Sequence, residues 1–345
     1  APSAFADRNR QPPNGIGSIL GLVRPRRALV PLLLAAAAGP VDRTAAQSAT
    51  VVSFPGSSGF YQNTSVARNG DLGIVPTTDG VLWSFSLETG LLLDPDGLAL
   101  PAPATASDAH FFANGRVAIT GWFPGQGVLV ADTSDPADLT LVGIVPFPGT
   151  TNIQGQNVAV HPDGDTGFVA GFPDDRLYSF SVGALALLHP GGLPLPGNPD
   201  RIALAGDRVA MVDTTNGRIL VADASDPAAM TLAGTIALPG APAFGSNDDI
   251  VVAADGRTCF VSSNQRVVYS FDVVTLSVLD PDGLAIGAAP GSGGDIALRG
   301  DVLACDWGRG LSFVDASDPT DLKLIADAAF TGTVATQGSA RAAFS

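Results

Sequence analysis

The sequence contains few of the charged residues that are common in surface helices. Among 345 residues it has one lysine, Lys323, and one glutamate, Glu88, but 41 Gly and 27 Pro. Gly and Pro are the weakest helix formers, whereas Lys and Glu are good ones. Short strands joined by tight turns are typically rich in Val, Gly, Asp and Pro. The composition therefore favours an all-β protein over one built of long helices.

Cysteine is also scarce. The two cysteines, Cys259 and Cys305, lie in apolar, strand-like stretches at positions that are not equivalent in the repeats described below. A disulfide depends on geometry and not on an even count of cysteines. We therefore expect two buried thiols and not a bridge.

The usual catalytic and metal-binding motifs are missing from the sequence. His110, His161 and His189 have no metal-type spacing, and there is no Gly-x-Ser-x-Gly elbow or phosphate-binding Gly-Lys-Ser/Thr loop. An EF-hand loop needs a terminal glutamate, which Glu88 does not supply. The stretches "DPDG" (94–97 and 280–283) and "HPDGDTG" (161–167) are predicted to be turns. No catalytic residue is predicted.

The charge balance is strongly acidic. The formal net charge is −15; six of the 18 basic and two of the 33 acidic residues precede residue 46, so residues 46–345 carry a net charge of −19. Such a surface repels phosphate backbones and anionic lipid, which argues against nucleic acid as a partner. It suits cations, or it serves only solubility.

Residues 24–39, "RPRRALVPLLLAAAAG", place a basic cluster before an apolar run, and "TAAQSA" follows at 44–49. This pattern predicts a secretory signal cleaved near Ala46, because the apolar run is short for a membrane span. A non-cleaved anchor is the alternative. We assign residues 1–45 to an N-terminal extension and signal. Residues 46–345 are expected to be secreted, periplasmic or on the cell surface, with no membrane span in the mature protein.

The remainder of the chain is repetitive. Ser-Asp-Pro triplets begin at Ser134, Ser225 and Ser317, with spacings of 91 and 92 residues. An aromatic motif interleaves with them, and its phenylalanines (Phe85, Phe180 and Phe271) are 95 and 91 residues apart. Residues 176–182 match residues 218–224 at an offset of 42. The repeat is therefore about 45 residues long and occurs in two alternating types, three of each.

Each repeat has four short apolar runs separated by Gly, Asn, Asp and Pro, which predicts a four-stranded antiparallel meander. Six such meanders predict a six-bladed β-propeller made of three tandem double-blade units. Residues 50–56 copy the end of a fourth strand, and residues 331–345 copy the start of a first strand. Overlapping termini would close the ring without an open edge. Seven blades, one built from both termini, is the alternative.

Two stretches carry a family resemblance. "ILVADASDPAAMTLAGTIALPG" (219–240) resembles the LVIVD repeat, and "NVAVHPDGDTGFVAGFPDDRLYSFSV" (157–182) resembles the YVTN-type repeat of secreted bacterial propellers. The resemblance covers residues 49–345. It implies an exported β-propeller, but no particular activity, because these families share none.

A polar residue precedes the first strand of every repeat. In propellers this strand lines the central channel, so six such side chains would form a ring at one channel mouth. The ring residues are Asn63, Asp108, Asn157, Asp200, Asp249 and Asp295. Oxygen ligands suit Ca²⁺, and Asp200, Asp249 and Asp295 are the candidate metal ligands. His110 is a candidate to face the channel. In the alternative interpretation each side chain only caps its own strand.

These features predict a binding or scaffold module that presents loops to an extracellular protein, a glycan or a small molecule, as a monomer, with Ca²⁺ as the candidate cofactor. A protein concerned only with adhesion would have the same sequence features. The alternative is a metal-dependent lactonase- or esterase-like hydrolase, in which a ring aspartate would act as the base. Six-bladed gluconolactonase-like and paraoxonase-like enzymes hold Ca²⁺ with Glu, Asn and Asp. Glu88 lies in a turn after a third strand, so the Glu of that set is missing.

Overall fold

The structure is a computed structural model, and it describes residues 67–77, 79–101, 105–122, 127–148, 158–171, 174–240, 242–244, 249–287, 296–307 and 310–329. These residues belong to one compact unit, Thr50–Ser345. They form strands and turns, with no helix in the described ranges. The predicted signal and the strand-like segments at both chain ends lie outside the described residues.

The first three blades are consecutive antiparallel sheets. Blade 1 contains β1 (Ala67–Asn69), β2 (Leu72–Pro76), β3 (Val81–Ser86) and β4 (Leu98–Ala99). Blade 2 contains β5 (Thr105–Phe111), β6 (Arg116–Trp122), β7 (Gly127–Asp132) and β8 (Thr140–Pro146). Blade 3 contains β9 (Ala159–Val160), β10 (Thr166–Gly171), β11 (Arg176–Ser181), β12 (Ala186–Leu187) and β13 (Leu193–Pro194).

The last three blades repeat this order. Blade 4 contains β14 (Pro199–Ala205), β15 (Arg208–Asp213), β16 (Arg218–Asp223) and β17 (Thr231–Ala237). Blade 5 contains β18 (Ile250–Val252), β19 (Thr258–Ser262), β20 (Val267–Asp272), β21 (Ser277–Val278) and β22 (Leu284–Ala285). Blade 6 contains β23 (Ile296–Arg299), β24 (Val302–Asp306), β25 (Gly310–Asp315) and β26 (Lys323–Ala329). The prediction of six four-stranded antiparallel blades is confirmed.

The fourth strand differs between the two repeat types. In blades 2, 4 and 6 it is a continuous strand of seven residues. In blades 3 and 5 it is split into two short pieces that pair with the same third strand, and the "HPGG" or "DPDG" turn separates them. Proline has no N–H to donate to the ladder and glycine favours the turn, so the strand is interrupted there.

Apolar clusters between consecutive blades form the core. Five clusters join blades 1–2, 2–3, 3–4, 4–5 and 5–6 in turn. Between blades 2 and 3, for example, the ring of Phe147 packs edge-on against Tyr178, with 5.0 Å between centroids. Because consecutive blades bury apolar faces against each other, the order of the described blades follows the order of the sequence.

The Ser-Asp-Pro motif links blades. A serine in the third strand of blades 1, 3 and 5 donates its hydroxyl hydrogen bond to the proline carbonyl of the motif in the next blade. The pairs are Ser84 with Pro136, Ser179 with Pro227, and Ser270 with Pro319. The motif lies between the third and fourth strands of blades 2, 4 and 6. Its contact with the serine joins the blades into the predicted pairs.

A carboxylate reinforces two of these links. In blade 5, Asp280 accepts a hydrogen bond from the Leu322 N–H of blade 6 at 3.2 Å. In blade 1, Asp94 accepts one from the Leu139 N–H of blade 2, also at 3.2 Å. In blade 3 the sequence has His189 at this position. Each linked pair therefore has its own polar contacts in addition to its apolar cluster.

At the junctions between linked blade pairs, a leucine side chain of one blade packs against a glycine in the fourth strand of the preceding blade. Leu185 of blade 3 and Leu276 of blade 5 have left-handed backbones, with φ of 52° and 55°. A Cβ on Gly143 would lie 2.7 Å from Leu185 Cδ1, and one on Gly234 would lie 2.6 Å from Leu276 Cδ1. A side chain at either glycine would collide with the leucine of the next blade. At the equivalent positions blade 6 has Ala326 and blade 1 has Gly90.

Both cysteines are free thiols with no exposed surface, as expected. Burial raises the pKa of both thiols, and Asp255 and Asp272 raise that of Cys259 further. Neither residue is therefore a reactive nucleophile.

Replacing Ser270 with Ala should destabilise the protein by about 1–3 kcal/mol, because the Pro319 carbonyl and the buried Asp280 N–H both lose a partner. The control is Ser277→Ala, an exposed position in the same blade, which should cost less than about 0.5 kcal/mol. Urea denaturation measures both. Equal losses would contradict the inter-blade role of Ser270.

Candidate channel site

Three of the six predicted ring residues lie within the described part of the chain: Asp108, Asp200 and Asp249. Asn63, Asn157 and Asp295 lie outside it. Asp108 has no exposed surface, whereas Asp200 and Asp249 are half-buried. The three ring residues that the structure describes therefore differ in their exposure to solvent.

Strand pairing defines which residues are equivalent in the ring. In blades 2, 4 and 5, the residue after the ring position pairs with the middle of the second strand, as Ala109–Ile119, Ile202–Met211 and Ile250–Val261. By this register the ring position is Asp108 in blade 2, Asp249 in blade 5 and Arg201 in blade 4. Asp200 lies one residue earlier than the sequence alignment indicated.

The length of the turn between the first two strands explains the difference. Four residues separate the paired residues Leu204 and Val209 in blade 4, whereas five separate Phe111 and Val117 in blade 2. An alignment that keeps a constant spacing to the second strand therefore selects Asp200, one residue before the equivalent position. Both first strands also contain a β-bulge in this region, between Pro199 and Ile202 and between Ala106 and Asp108.

Asp108 and Arg201 form a buried ion pair across the channel. Arg201 Nη1 lies 3.6 Å from Asp108 Oδ2, and the two side chains are 1% and 0% exposed. They come from the first strands of blades 2 and 4, which are separated by blade 3. Side chains from the first strands of two blades that are not adjacent therefore meet at this level.

The ion pair is a constraint on the fold and not simply a source of stability. Moving two charges out of water costs several kcal/mol per ion, and their attraction offsets this cost only when both partners are present. Loss of either partner would leave a charge in a site without water. The pair therefore fixes the distance and orientation between blades 2 and 4.

His110 makes a second contact between inner strands. Its Nε2 accepts a hydrogen bond from the Val158 N–H of blade 3 at 3.2 Å. Since Val158 follows Asn157 in the chain, the imidazole of blade 2 reaches the predicted ring region of blade 3. This contact gives His110 a structural role that ties blade 2 to blade 3.

Asp249 behaves as a strand cap. Its Oδ1 accepts a hydrogen bond from the Ile250 N–H at 2.9 Å, which matches the alternative interpretation of the ring residues. A carboxylate has further lone pairs, so this bond does not prevent it from binding a ligand.

The acidic turns do not assemble into a metal centre. Among the residues that the structure describes, no three His, Cys, Asp or Glu side chains are grouped so that they could hold a metal ion. In "HPDGDTG", Asp163 closes its own turn. Burial opposes its ionisation, but hydrogen bonds from the Thr166 and Asp165 N–H groups and the Thr166 hydroxyl lower its pKa to about 2.

Arg201 is the site residue that the sequence analysis missed. It stands directly after Asp200 in "GNPDRIALAGD", so an alignment that ignores the shorter turn of blade 4 places the acid in the ring and the base beside it. The short "AGDR" turn (205–208) was the available signal. Arg201 occupies the ring position of blade 4. The ring therefore contains a positively charged side chain in addition to carboxylates and amides.

These features define a six-bladed β-propeller in which a buried ion pair joins the first strands of blades 2 and 4. A family model described as the LVIVD repeat matches residues 196–237 and 290–328. These segments correspond to blades 4 and 6. The protein is a β-propeller that contains repeats of the LVIVD type in these two blades.

Solved structures with the same fold have diverged far in sequence. A functionally unknown protein from Desulfotomaculum acetoxidans has a TM-score of 0.62 and 13% identity, over 75% of this chain and 80% of that one. The periplasmic gluconolactonase PpgL of Pseudomonas aeruginosa has a TM-score of 0.60 and 15% identity, over 78% and 85%.

The Cps50 (Swd1) β-propeller domain of Myceliophteria thermophila has a TM-score of 0.54 and 13% identity, over 70% and 79%. No curated protein matches this chain in sequence. In the described residues no helix is long and apolar enough to span a membrane. At these identities the likeness concerns the fold alone.

Replacing Arg201 with Met should cost about 3–5 kcal/mol of stability, because Asp108 would remain as a buried charge without its guanidinium. The double variant Asp108→Asn with Arg201→Met should recover much of that loss. Urea denaturation of the two single variants and the double variant tests this. Strictly additive losses would contradict a direct interaction across the channel.

Proposed function

We propose that the protein is an exported binding or scaffold module that uses the loops at its propeller faces to hold an extracellular protein, a glycan or a small molecule. The observation that carries the proposal is the Asp108–Arg201 pair, both of whose side chains are inaccessible to solvent. Neither charge is accessible to a ligand in this state. Ligand contacts then fall to the faces and mouths of the propeller.

The acidic side of the mouth is the proposed recognition element. Asp200 and Asp249 are half-exposed, and Asp295 belongs to the same predicted ring. The guanidinium of Arg201 is buried against Asp108 of blade 2. The half-exposed acids would attract a cationic group or hold Ca²⁺ through oxygen ligands. The net charge of −15 favours the same class of ligand.

The hydrolase alternative rests on the shared fold with a gluconolactonase. A metal-assisted hydrolase needs an open coordination position and a base within reach of the substrate. Asp108 is buried against Arg201 and is not accessible to a substrate in this state. Glu88 is exposed and lies between β3 and β4, where its N–H bonds to Asp71. The described residues therefore favour binding over hydrolysis.

Calcium should raise the melting temperature of the purified protein, and EDTA should reverse the shift, because a ligand that binds only the folded state stabilises it. Replacing Asp200 and Asp249 together with Ala should abolish the shift. The matched control replaces Asp96 and Asp282, which lie in exposed turns, and should preserve it. If the two double variants behave alike, the mouth is not a cation site.

Incubation with lactones and carboxylic esters in the presence of Ca²⁺ should give no turnover above the buffer rate. This screen uses the same protein sample and separates the two function classes. Turnover that requires Ca²⁺ and disappears in the Asp249→Ala variant would replace the binding proposal with the hydrolase.

A further inference from the structure

The contact between His110 and Val158 determines the protonation state of the imidazole. His110 Nε2 lies 3.2 Å from the backbone nitrogen of Val158, and an amide nitrogen donates its hydrogen but does not accept one. Nε2 must therefore be an unprotonated acceptor, so the neutral ring carries its proton on Nδ1. In an imidazolium both ring nitrogens are donors. This contact between blades 2 and 3 therefore exists only while His110 is neutral.

The other polar contacts between blades described above do not change near neutral pH. A serine hydroxyl bonded to a proline carbonyl, as in Ser179 with Pro227, does not titrate. Asp280 accepts the N–H of Leu322 as a carboxylate, which is the ordinary state of aspartate above about pH 4. Histidine is the side chain that ordinarily changes its charge between about pH 5 and pH 8. The His110 contact is therefore the pH-sensitive one among them.

Charged groups lie on the same face of the blade 2 sheet as His110. Asp108 is two residues before His110 on β5, and Arg116 is on the paired strand β6, two residues from the partner of His110. Asp108 is paired with Arg201 of blade 4 at 3.6 Å. The Arg116 guanidinium donates to the carbonyl of Val182 in blade 3. One carboxylate and two guanidinium groups thus face this side.

The strands packed on either face of β5 add no further carboxylate beside the imidazole. In blade 3, β9 contains only Ala159 and Val160, and the next titratable groups, His161 and Asp163, pair with each other at 3.1 Å. Blade 1 packs against the opposite face of β5, through Ala109.

The balance of these groups favours the neutral ring. Arg201 offsets the charge of Asp108, so the charge that remains on this face is the cationic one of Arg116. A nearby positive charge disfavours a second one, and so does the half-buried position of His110. The hydrogen bond from Val158 acts in the same direction, because it needs the lone pair that a proton would take.

We propose that His110 is an acid-sensitive latch between blades 2 and 3, which holds the Val158 N–H at neutral pH and releases it when Nε2 takes up a proton. In the unfolded chain the lone pair faces water, so the unfolded chain binds this proton more readily than the folded one. The contribution of the contact to stability is therefore present above about pH 6.5, the ordinary midpoint for histidine, and is lost as the pH falls below it.

Release of the latch is a local event. The apolar cluster between blades 2 and 3 remains, including the edge-on packing of Phe147 against Tyr178. The first strands of the two blades lose one polar contact, whereas their outer strands keep their packing. Acidification should therefore loosen the inner end of this junction, beside the channel, without unfolding the propeller.

Hydrogen exchange followed by NMR at about pH 7.5 and about pH 5.5 tests the proposal, because histidine titrates between these values. The protection factor of the Val158 amide, which corrects for the intrinsic pH dependence of exchange, should fall about two- to tenfold at the lower pH, as expected for the loss of one hydrogen bond. Amides of β15 and β16 in blade 4 should not change. Asp163, whose pKa is about 2, stays ionised at both values.

Two variants separate the latch from a general effect of acid. His110→Gln supplies an oxygen acceptor that does not titrate, so the Val158 amide should have the same protection at both pH values. His161→Gln is the matched control, because His161 also accepts a backbone N–H, from Asp163 at 3.2 Å, but within its own turn. It should leave the pH dependence at Val158 unchanged. Thermal melting at about pH 7.5 checks that each variant is folded.

The ¹⁵N chemical shifts of the His110 ring give a second readout, which needs no substitution. At about pH 7.5 they should show a proton on Nδ1 and none on Nε2. A proton on Nε2 at this pH would overturn the proposal. So would a Val158 protection factor that is equal at the two pH values in the wild type, or one that falls by the same factor in His110→Gln.

Discussion

Every blade of this protein depends on burial against the next blade, because a four-stranded sheet alone leaves one apolar face in water. In three of the five described junctions, the hydroxyl of Ser84, Ser179 or Ser270 donates a hydrogen bond to the proline carbonyl of the following blade, and this polar contact fixes the packing. The remaining described junctions rely on a leucine placed against a glycine. The double-blade period of the sequence thus corresponds to two alternating kinds of interface.

A contact between blades 2 and 4, which skips one blade, organises the inner strands. Bulges in β5 and β14 lie next to Asp108 and Arg201, which meet across the position of blade 3. The ion pair makes these two buried side chains a structural element and removes them from contact with ligands. A binding function at the mouth is the consequence that we propose.

The sequence predicted the blades but not the centre. Period, strand count and turn positions depend on local chemistry such as the proline of Ser-Asp-Pro, and these were read correctly. The ring was aligned on the assumption of equal turns between the first two strands, so Asp200 was chosen and Arg201 was overlooked. The turn of blade 4 is one residue shorter than that of blade 2, and this difference becomes evident only when the strand pairing is known. Likewise, the link from Ser270 to Pro319 joins residues 49 positions apart and needs the fold to be seen.

A crystal structure of residues 46–345 grown with Ca²⁺ would test the central claim most directly. The account predicts the Arg201 guanidinium against the Asp108 carboxylate, no water between them, and any bound ion on the Asp249 side of the mouth. An ion coordinated by Asp108, with Arg201 turned out of the channel, would contradict it. That result would show that Asp108 is accessible to a metal ion, as a catalytic centre in the channel would require.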